Sequence, residues 1–114
     1  MKIFKNSVIL MQIGGTMAFI EEYDFELLKN EAEILVIREM EQQLKNEPGK
    51  MCRCNECIVD IAAIALNSVR PLYRFSLLGA LYASQAMTEQ AYADSVKEAV
   101  SQAIKKVKKN PAHD

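Results

Sequence analysis

The sequence predicts an all-α fold, a small bundle of three to four antiparallel helices. Apolar residues recur at helical spacing over three stretches of the chain. Of its 114 residues only 4 are Gly and 3 are Pro, too few for a loop-rich sandwich. Half of the residues are hydrophobic and a quarter are charged, which excludes general disorder. A chain of this length is expected to form one domain.

The first predicted helix covers residues 24–47. Asp24 is its expected N-cap, and Pro48-Gly49 ends it. Ile34 and Ile37 widen its apolar surface, which indicates contact with a second surface such as another subunit. The main apolar stripe repeats every three or four residues and consists of Phe25, Leu28, Ala32, Leu35, Val36, Met40 and Leu44.

Two or three further helices follow. The second covers residues 56–68 and is apolar nearly all round, so we expect it at the centre of the bundle. A short helix is predicted over residues 77–86. Thr88 is the expected N-cap of the last helix, residues 89–109, whose final lysines complement the helix dipole. The predicted stripe of this helix is Tyr92, Val96, Ala99, Val100, Ala103, Ile104 and Val107.

Residues 1–20 are predicted as an N-terminal extension or arm, and residues 21–114 as the helical domain. Residues 8–13 have the length of a strand that pairs with a second copy. Alternatively, the arm has no function, or Met17 is the natural start. The apolar run before Gln12 is too short for a secretory signal, and no run reaches the ~18 residues of a membrane span. We therefore expect a cytoplasmic protein with no membrane partner.

A net charge of −1 conceals an uneven distribution. Residues 21–50 hold nine acids and four bases, whereas residues 51–114 hold eight bases and six acids. Opposite charges help such segments, or two copies, to dock, although each exposed pair contributes less than ~1 kcal/mol. Because the chain lacks the Lys and Arg excess of DNA-coating proteins, no DNA partner is expected.

The only cysteines, Cys52, Cys54 and Cys57, form a Cys-x-Cys-x-x-Cys pattern just before the second helix. Thiolates at a helix N-terminus have a lowered pKa and bind metal readily, so the pattern predicts a zinc knuckle. The fourth ligand stays open between water, a carboxylate, His113 and a second chain. Near the end of the chain, His113 is otherwise interpreted as an exposed histidine, and Asp60 as a capping or supporting side chain.

Other interpretations of the cysteines are a redox pair, an iron–sulfur cluster and three thiols without a ligand. Redox pairs usually follow a strand in an α/β fold, and iron–sulfur clusters normally take four cysteines. A structural disulfide is disfavoured by the odd number of cysteines. The chain has no catalytic Ser-His-Asp set and no Gly-rich phosphate loop, so we do not expect an enzyme.

The turn after the second helix places an aromatic side chain between two arginines. Asn67 is expected to close the helix, and Pro71 forces an extended turn. Arg70, Tyr73 and Arg74 would then offer a stacking surface and phosphate ligands. The alternative is a helix stop with one packed aromatic ring.

The cysteine motif continues into Asp60-Ile61-x-Ala63-x-Ala65-Leu66-Asn67 and is followed by Pro71-x-Tyr73. This run resembles the late competence development ComFB family, as does Asn30-x-x-Glu33-x-x-Val36. The resemblance covers residues 24–85 and, more weakly, residues 110–114. It implies an all-helical bacterial homodimer with zinc on the three cysteines, and a cytoplasmic regulatory or adaptor protein.

Some family members are described as cyclic di-GMP receptors, and others act beside competence, motility or pilus functions. This chain has Arg70 and Leu72 where the family has a proline and an arginine, so Arg70 or Arg74 would replace the family arginine. The leading hypothesis is a zinc-stapled homodimeric regulator that senses cyclic di-GMP. An adaptor without a nucleotide is the alternative, and a thiol redox sensor is the third. The expected nucleotide ligands are Asn30, Glu33, Arg70, Tyr73 and Arg74.

Overall fold

Five α-helices, one 3-10 turn and a two-stranded sheet form the part of the chain that the computed structural model describes, residues 17–111 and 113. The mostly helical class agrees with the prediction, but the small sheet was not predicted. The predicted strand over residues 8–13 lies outside the described residues. The elements in chain order are α1 Met17–Glu22, the 3-10 turn Phe25–Leu27, β1 Lys29–Asn30, α2 Ala32–Lys45, α3 Asn55–Leu66, β2 Tyr73–Arg74, α4 Leu77–Met87 and α5 Gln90–Lys109.

The core forms where α2, α3 and α5 pack against one another. The predicted stripe of α5 is confirmed, since all seven of its residues are buried. As expected of a central helix, α3 packs against both α2 and α5, but only Cys57, Ile61 and Ala65 are fully buried, and Val59 is 56% exposed. Its apolar surface exceeds what two neighbouring helices cover. Among the described residues, no helix is both long and apolar enough to cross a membrane.

The first long helix begins at Ala32, not at Asp24 as predicted. The Asp24 carboxylate instead accepts the Glu26 N–H at 3.2 Å and caps the 3-10 turn. The chain then becomes extended, because β1 pairs with β2. This tertiary pairing overrides the helical periodicity of the sequence, and Phe25 and Leu28 are left 41% and 50% exposed.

The junction between the last two helices also differs from the prediction. Thr88 is the C-cap of α4, and its hydroxyl donates to the Gln85 carbonyl oxygen at 2.8 Å. Glu89 occupies the N-cap position of α5. Near the start of the described residues, α1 spans the predicted boundary between the arm and the helical domain.

The sheet brings two distant segments together beside the start of α2. Asn30 pairs with Tyr73, and Lys29 pairs with Arg74, in antiparallel register. The Asn30 side-chain oxygen accepts the Ala32 N–H at 3.1 Å and the Leu72 N–H at 2.8 Å. Asn30 precedes the N-cap residue Glu31, and its carboxamide satisfies the first N–H of α2 and fixes the segment that leads into β2.

We predict that Asn30→Ala lowers the free energy of unfolding by about 1–2 kcal/mol, because two backbone donors lose their acceptor. Asn30→Asp keeps the acceptor at a favourable helix N-terminus, so its stability should stay close to that of the wild type. Urea denaturation of the metal-loaded protein measures both changes. Equal loss in the two variants, or no loss in Asn30→Ala, would contradict this role.

Candidate metal centre

The three cysteines meet at the N-terminal end of α3. Cys54 is the N-cap residue with an extended backbone, and its sulfur accepts the Cys57 N–H at 3.5 Å. Cys57 lies in the first turn of the helix and is completely buried, whereas Cys52 and Cys54 are partly exposed. The cap geometry thus turns the closely spaced thiols toward one point, as the motif predicts.

The chain's only histidine joins this group from the other end of the sequence. His113 Nε2 lies 3.1 Å from Cys52 Sγ. The ligand atoms of Cys52, Cys54, Cys57 and His113 all lie within 4.8 Å of one another. Cys3His is a common ligand set of structural metal sites.

Two further contacts near the cysteines connect the ends of the helices to one another. Lys108 in the last turn of α5 forms an ion pair with Glu47 after α2, and this contact holds the pKa of the Glu47 carboxyl below its ordinary value. The Arg53 guanidinium donates to the Leu44 carbonyl oxygen at 2.8 Å. Together they draw the end of α5, the end of α2 and the cysteine segment to one side of the molecule.

The donor set fits a tetrahedral metal ion. Sulfur ligands 2.3 Å from a tetrahedral zinc lie about 3.8 Å apart, a spacing that this cluster reaches with small side-chain movements. The pKa of Cys52 is lowered to about 6, chiefly by a hydrogen bond from the Cys54 backbone and then by the His113 side chain. A lowered pKa favours the thiolate, which is the form that binds metal.

The three cysteines are therefore brought together as predicted, and the structure adds His113 to them. Sequence reasoning left His113 as one of several possible fourth ligands, since residues near a terminus are commonly mobile. The sequence feature that could have identified this ligand is the position of His113 shortly after Pro111, where α5 can no longer continue. Asp60 lies half-buried one turn beyond Cys57 and does not belong to the cluster.

The predicted nucleotide ligands divide between two grooves. The first, here called the Tyr73–Tyr82 groove, has a volume of about 200 Å³. The second, here called the Asn30–Arg74 groove, has a volume of about 470 Å³. The Tyr73–Tyr82 groove is lined by Arg70, Pro71, Leu72, Tyr73, Tyr82, Ala83 and Ala86. The Asn30–Arg74 groove is lined by Leu28, Lys29, Asn30, Glu31, Glu33, Ile34 and Arg74.

The division follows from the geometry of β2. Neighbouring residues on a strand point to opposite faces, so Tyr73 and Arg74 line different grooves. Sequence reasoning placed all the ligands in one patch because it treated residues 70–74 as a turn. Sequence reasoning also missed Lys29 and Tyr82, because neither residue belongs to a motif. Lys29 lines its groove because β1 pairs with β2, and Tyr82 lines the other because α4 packs beside β2.

Both arginines have a carboxylate partner. Arg70 lies 3.3 Å from Glu89 and 5.5 Å above the ring of Tyr92. The Tyr92 hydroxyl donates to the Arg70 carbonyl oxygen at 2.7 Å, and burial raises the pKa of that hydroxyl. Arg74 forms an ion pair with Glu31. The partners are partly exposed to solvent, so an incoming anion can compete for either arginine at small cost.

The structural residues of the motif lie close to their predicted places. Asn67 is the C-cap of α3, and its amide donates to the Ala63 carbonyl oxygen at 3.0 Å. Pro71 is exposed in the segment between α3 and β2 and lines the Tyr73–Tyr82 groove.

Comparison with known proteins agrees with the family resemblance of the motif. Residues 29–111 match the family described as late competence development protein ComFB. Among solved structures, the late competence protein ComFB from Bacillus subtilis has a similar fold, with a TM-score of 0.54 and 22% sequence identity over 74% of this chain and 93% of that chain. No curated protein matches this chain significantly. Because the family match spans well over half of the sequence, this chain belongs to the ComFB family of late competence development proteins.

Proposed function

We propose that this chain is a zinc-stapled bacterial regulatory protein of the competence and motility type, which acts as a homodimer and is not an enzyme. The observation that carries the proposal is the cluster of three cysteines and one histidine within 4.8 Å. The reduced cytoplasm, where thiols stay available for metal, is the compartment that suits such a cluster.

Zinc is the metal that the donor set favours. It binds thiolate and imidazole in tetrahedral sites, whereas iron–sulfur clusters normally take four cysteines and hard cations take oxygen ligands. Four protein ligands leave no position for a substrate or a reactive water, which supports a structural role. Bound zinc would fasten the tail after α5 to the beginning of α3.

We predict about one zinc per chain in protein purified without added metal, and loss of the zinc on chelation should lower the melting temperature. His113→Ala should weaken zinc binding at least tenfold, because it removes one of four ligands. Lys109→Ala, an exposed change four residues earlier, is the matched control and should bind zinc like the wild type. Elemental analysis and competition with a chromogenic chelator give these values.

Two results would contradict the zinc proposal. One is three titratable thiols per native chain with no metal present, which would favour the redox-sensor interpretation. The other is unchanged affinity in His113→Ala, which would assign the fourth position to another ligand.

The ligand of the proposed regulator is a cyclic dinucleotide such as cyclic di-GMP. Such a ligand carries two phosphates and two guanine bases, and it requires cations, a stacking surface and an acceptor for the guanine edge. Arg70 and Arg74 supply the cations on either side of Tyr73, whose side chain is 54% exposed. Glu33 is exposed in the Asn30–Arg74 groove, where its carboxylate is available to guanine N1 and N2.

Asn30 can offer a ligand only part of its side chain. Its oxygen already accepts two backbone N–H groups, so only its amide hydrogens are offered to a ligand. Lys29, which lines the same groove, adds positive charge for a phosphate. One dinucleotide that reaches over β2 would use both grooves, with a base or phosphate on each side.

We predict that Arg70→Ala and Arg74→Ala each weaken binding of cyclic di-GMP by roughly tenfold to a hundredfold, the cost of one arginine–phosphate contact. Binding by the wild type should also weaken as salt rises. Arg38→Ala, an exposed arginine on α2 outside both grooves, is the matched control. Calorimetric titration of metal-loaded protein at two salt concentrations measures all four proteins, and binding that neither Arg70→Ala nor Arg74→Ala affects would remove the site from these grooves.

A protein–protein adaptor with structural zinc is the second candidate. It is favoured by the two arginines, each already paired with a carboxylate. Undetectable binding of the nucleotide by the wild type at high micromolar concentration would leave this function as the better explanation.

A further inference from the structure

Helix α4 exposes large apolar side chains on one face, here called the α4 face and defined by Leu77, Leu78, Leu81 and Tyr82. Their exposed fractions are 77%, 77%, 60% and 76%. At 100° per residue these four positions lie within about 140° of one another, so they form one continuous surface.

The opposite side of α4 carries the small residues that face the protein. Ala83 and Ala86 are only 3% and 5% exposed. A Cβ atom at Gly79 would lie 3.3 Å from the Arg74 Cα, so the helix backbone rests almost directly on β2. In a helix of an isolated globular protein the large apolar residues face the core, and α4 has the reverse arrangement.

The exposed apolar surface is large enough for a stable interface. Phe75 and Tyr73, next to α4 in the sequence, are a further 68% and 54% exposed. With the α4 face they expose on the order of 800 Å², given the 150–250 Å² of a full aromatic side chain. That total is comparable with the ~800 Å² that each partner buries in a standard complex.

We propose that the α4 face is the surface on which a second copy of this chain docks, with α4 packed against α4. This inference rests on the proposed function, which includes a homodimer, and names the interface. The segment 77–87 contains no charged residue, so a two-fold contact with itself brings no like charges together. Permanent homodimer interfaces are also the more hydrophobic class, which agrees with leucine and tyrosine side chains.

The surface that the sequence indicated for a second subunit is less suitable. Ile34 and Ile37 on α2 are 48% and 56% exposed. Glu33 and Glu41 lie one turn before and one turn after Ile37, and both are exposed. A two-fold contact centred on Ile37 would remove these carboxylates and the exposed Lys45–Glu41 ion pair from water, which is unfavourable, whereas the α4 face contains no charge.

Docking on the α4 face would also complete the Tyr73–Tyr82 groove. Tyr82 lies in the α4 face and at the same time lines this groove with Arg70 and Tyr73. A second copy packed over Tyr82 would form a further wall of the groove. Binding of an anionic nucleotide there and assembly of the dimer would then strengthen each other, since such coupling is reciprocal.

The test compares charged substitutions on the two faces. We expect Leu78→Asp combined with Leu81→Asp to give the mass of one chain by light scattering at micromolar concentration, where the wild type gives two. Ile37→Asp, the same change on α2, should remain dimeric. The single variant Leu81→Arg should weaken dimerisation at least tenfold by sedimentation equilibrium, and it serves if the double variant does not fold.

Each outcome decides the proposal. A dimeric Leu78→Asp/Leu81→Asp protein or a dissociated Ile37→Asp protein would overturn the interface alone, whereas a monomeric wild type would overturn both the interface and the homodimer of the proposed function. Zinc content and circular dichroism of the same samples show whether every variant is folded, because the cysteine cluster belongs to α3 and the tail after α5. A wild type without zinc or without nucleotide binding would contradict the proposed function, while the masses of the variants would still decide the interface.

Discussion

The contact between Cys52 and His113 joins parts of the chain that are 61 residues apart, and the rest of the site depends on it. It fixes the segment before α3 to the tail after α5 at one end of the bundle. The Lys108–Glu47 ion pair and the Arg53 hydrogen bond lie in the same region and bring in the end of α2. A metal ion on the four ligands would make this closure strong, because small domains have little apolar surface to stabilise them.

The candidate ligand grooves lie near the other end of α3. This helix has 12 residues and is therefore about 18 Å long, with Cys54 at its start and Asn67 at its end. Bound zinc would therefore not contact the ligand, and it would influence the ligand site only by stabilising the packing of α2, α3 and α5. Leu72, which leads into β2, belongs to the buried core and donates its N–H to Asn30, while β2 carries Tyr73 and Arg74 and supports α4.

The parts predicted well from sequence are those that local patterns determine. The buried stripe of α5 agrees at every position, because a single long helix follows its own periodicity. The cysteine trio is also local, with all members inside six residues. The start of α2 was misplaced, because the pairing of Asn30 with Tyr73 joins segments 43 residues apart and gives no local signal. The contact of His113 with Cys52 and the placement of Tyr73 and Arg74 in different grooves also depend on long-range contacts, which leave no local pattern in the sequence.

Zinc-edge X-ray absorption of the purified protein tests the central claim most directly, because it identifies the atoms around the metal. The account predicts three sulfur neighbours at about 2.3 Å and one nitrogen neighbour at about 2.0–2.1 Å per zinc. A spectrum with fewer than three sulfurs, a fourth sulfur in place of nitrogen, or no zinc signal would contradict the Cys52, Cys54, Cys57 and His113 site.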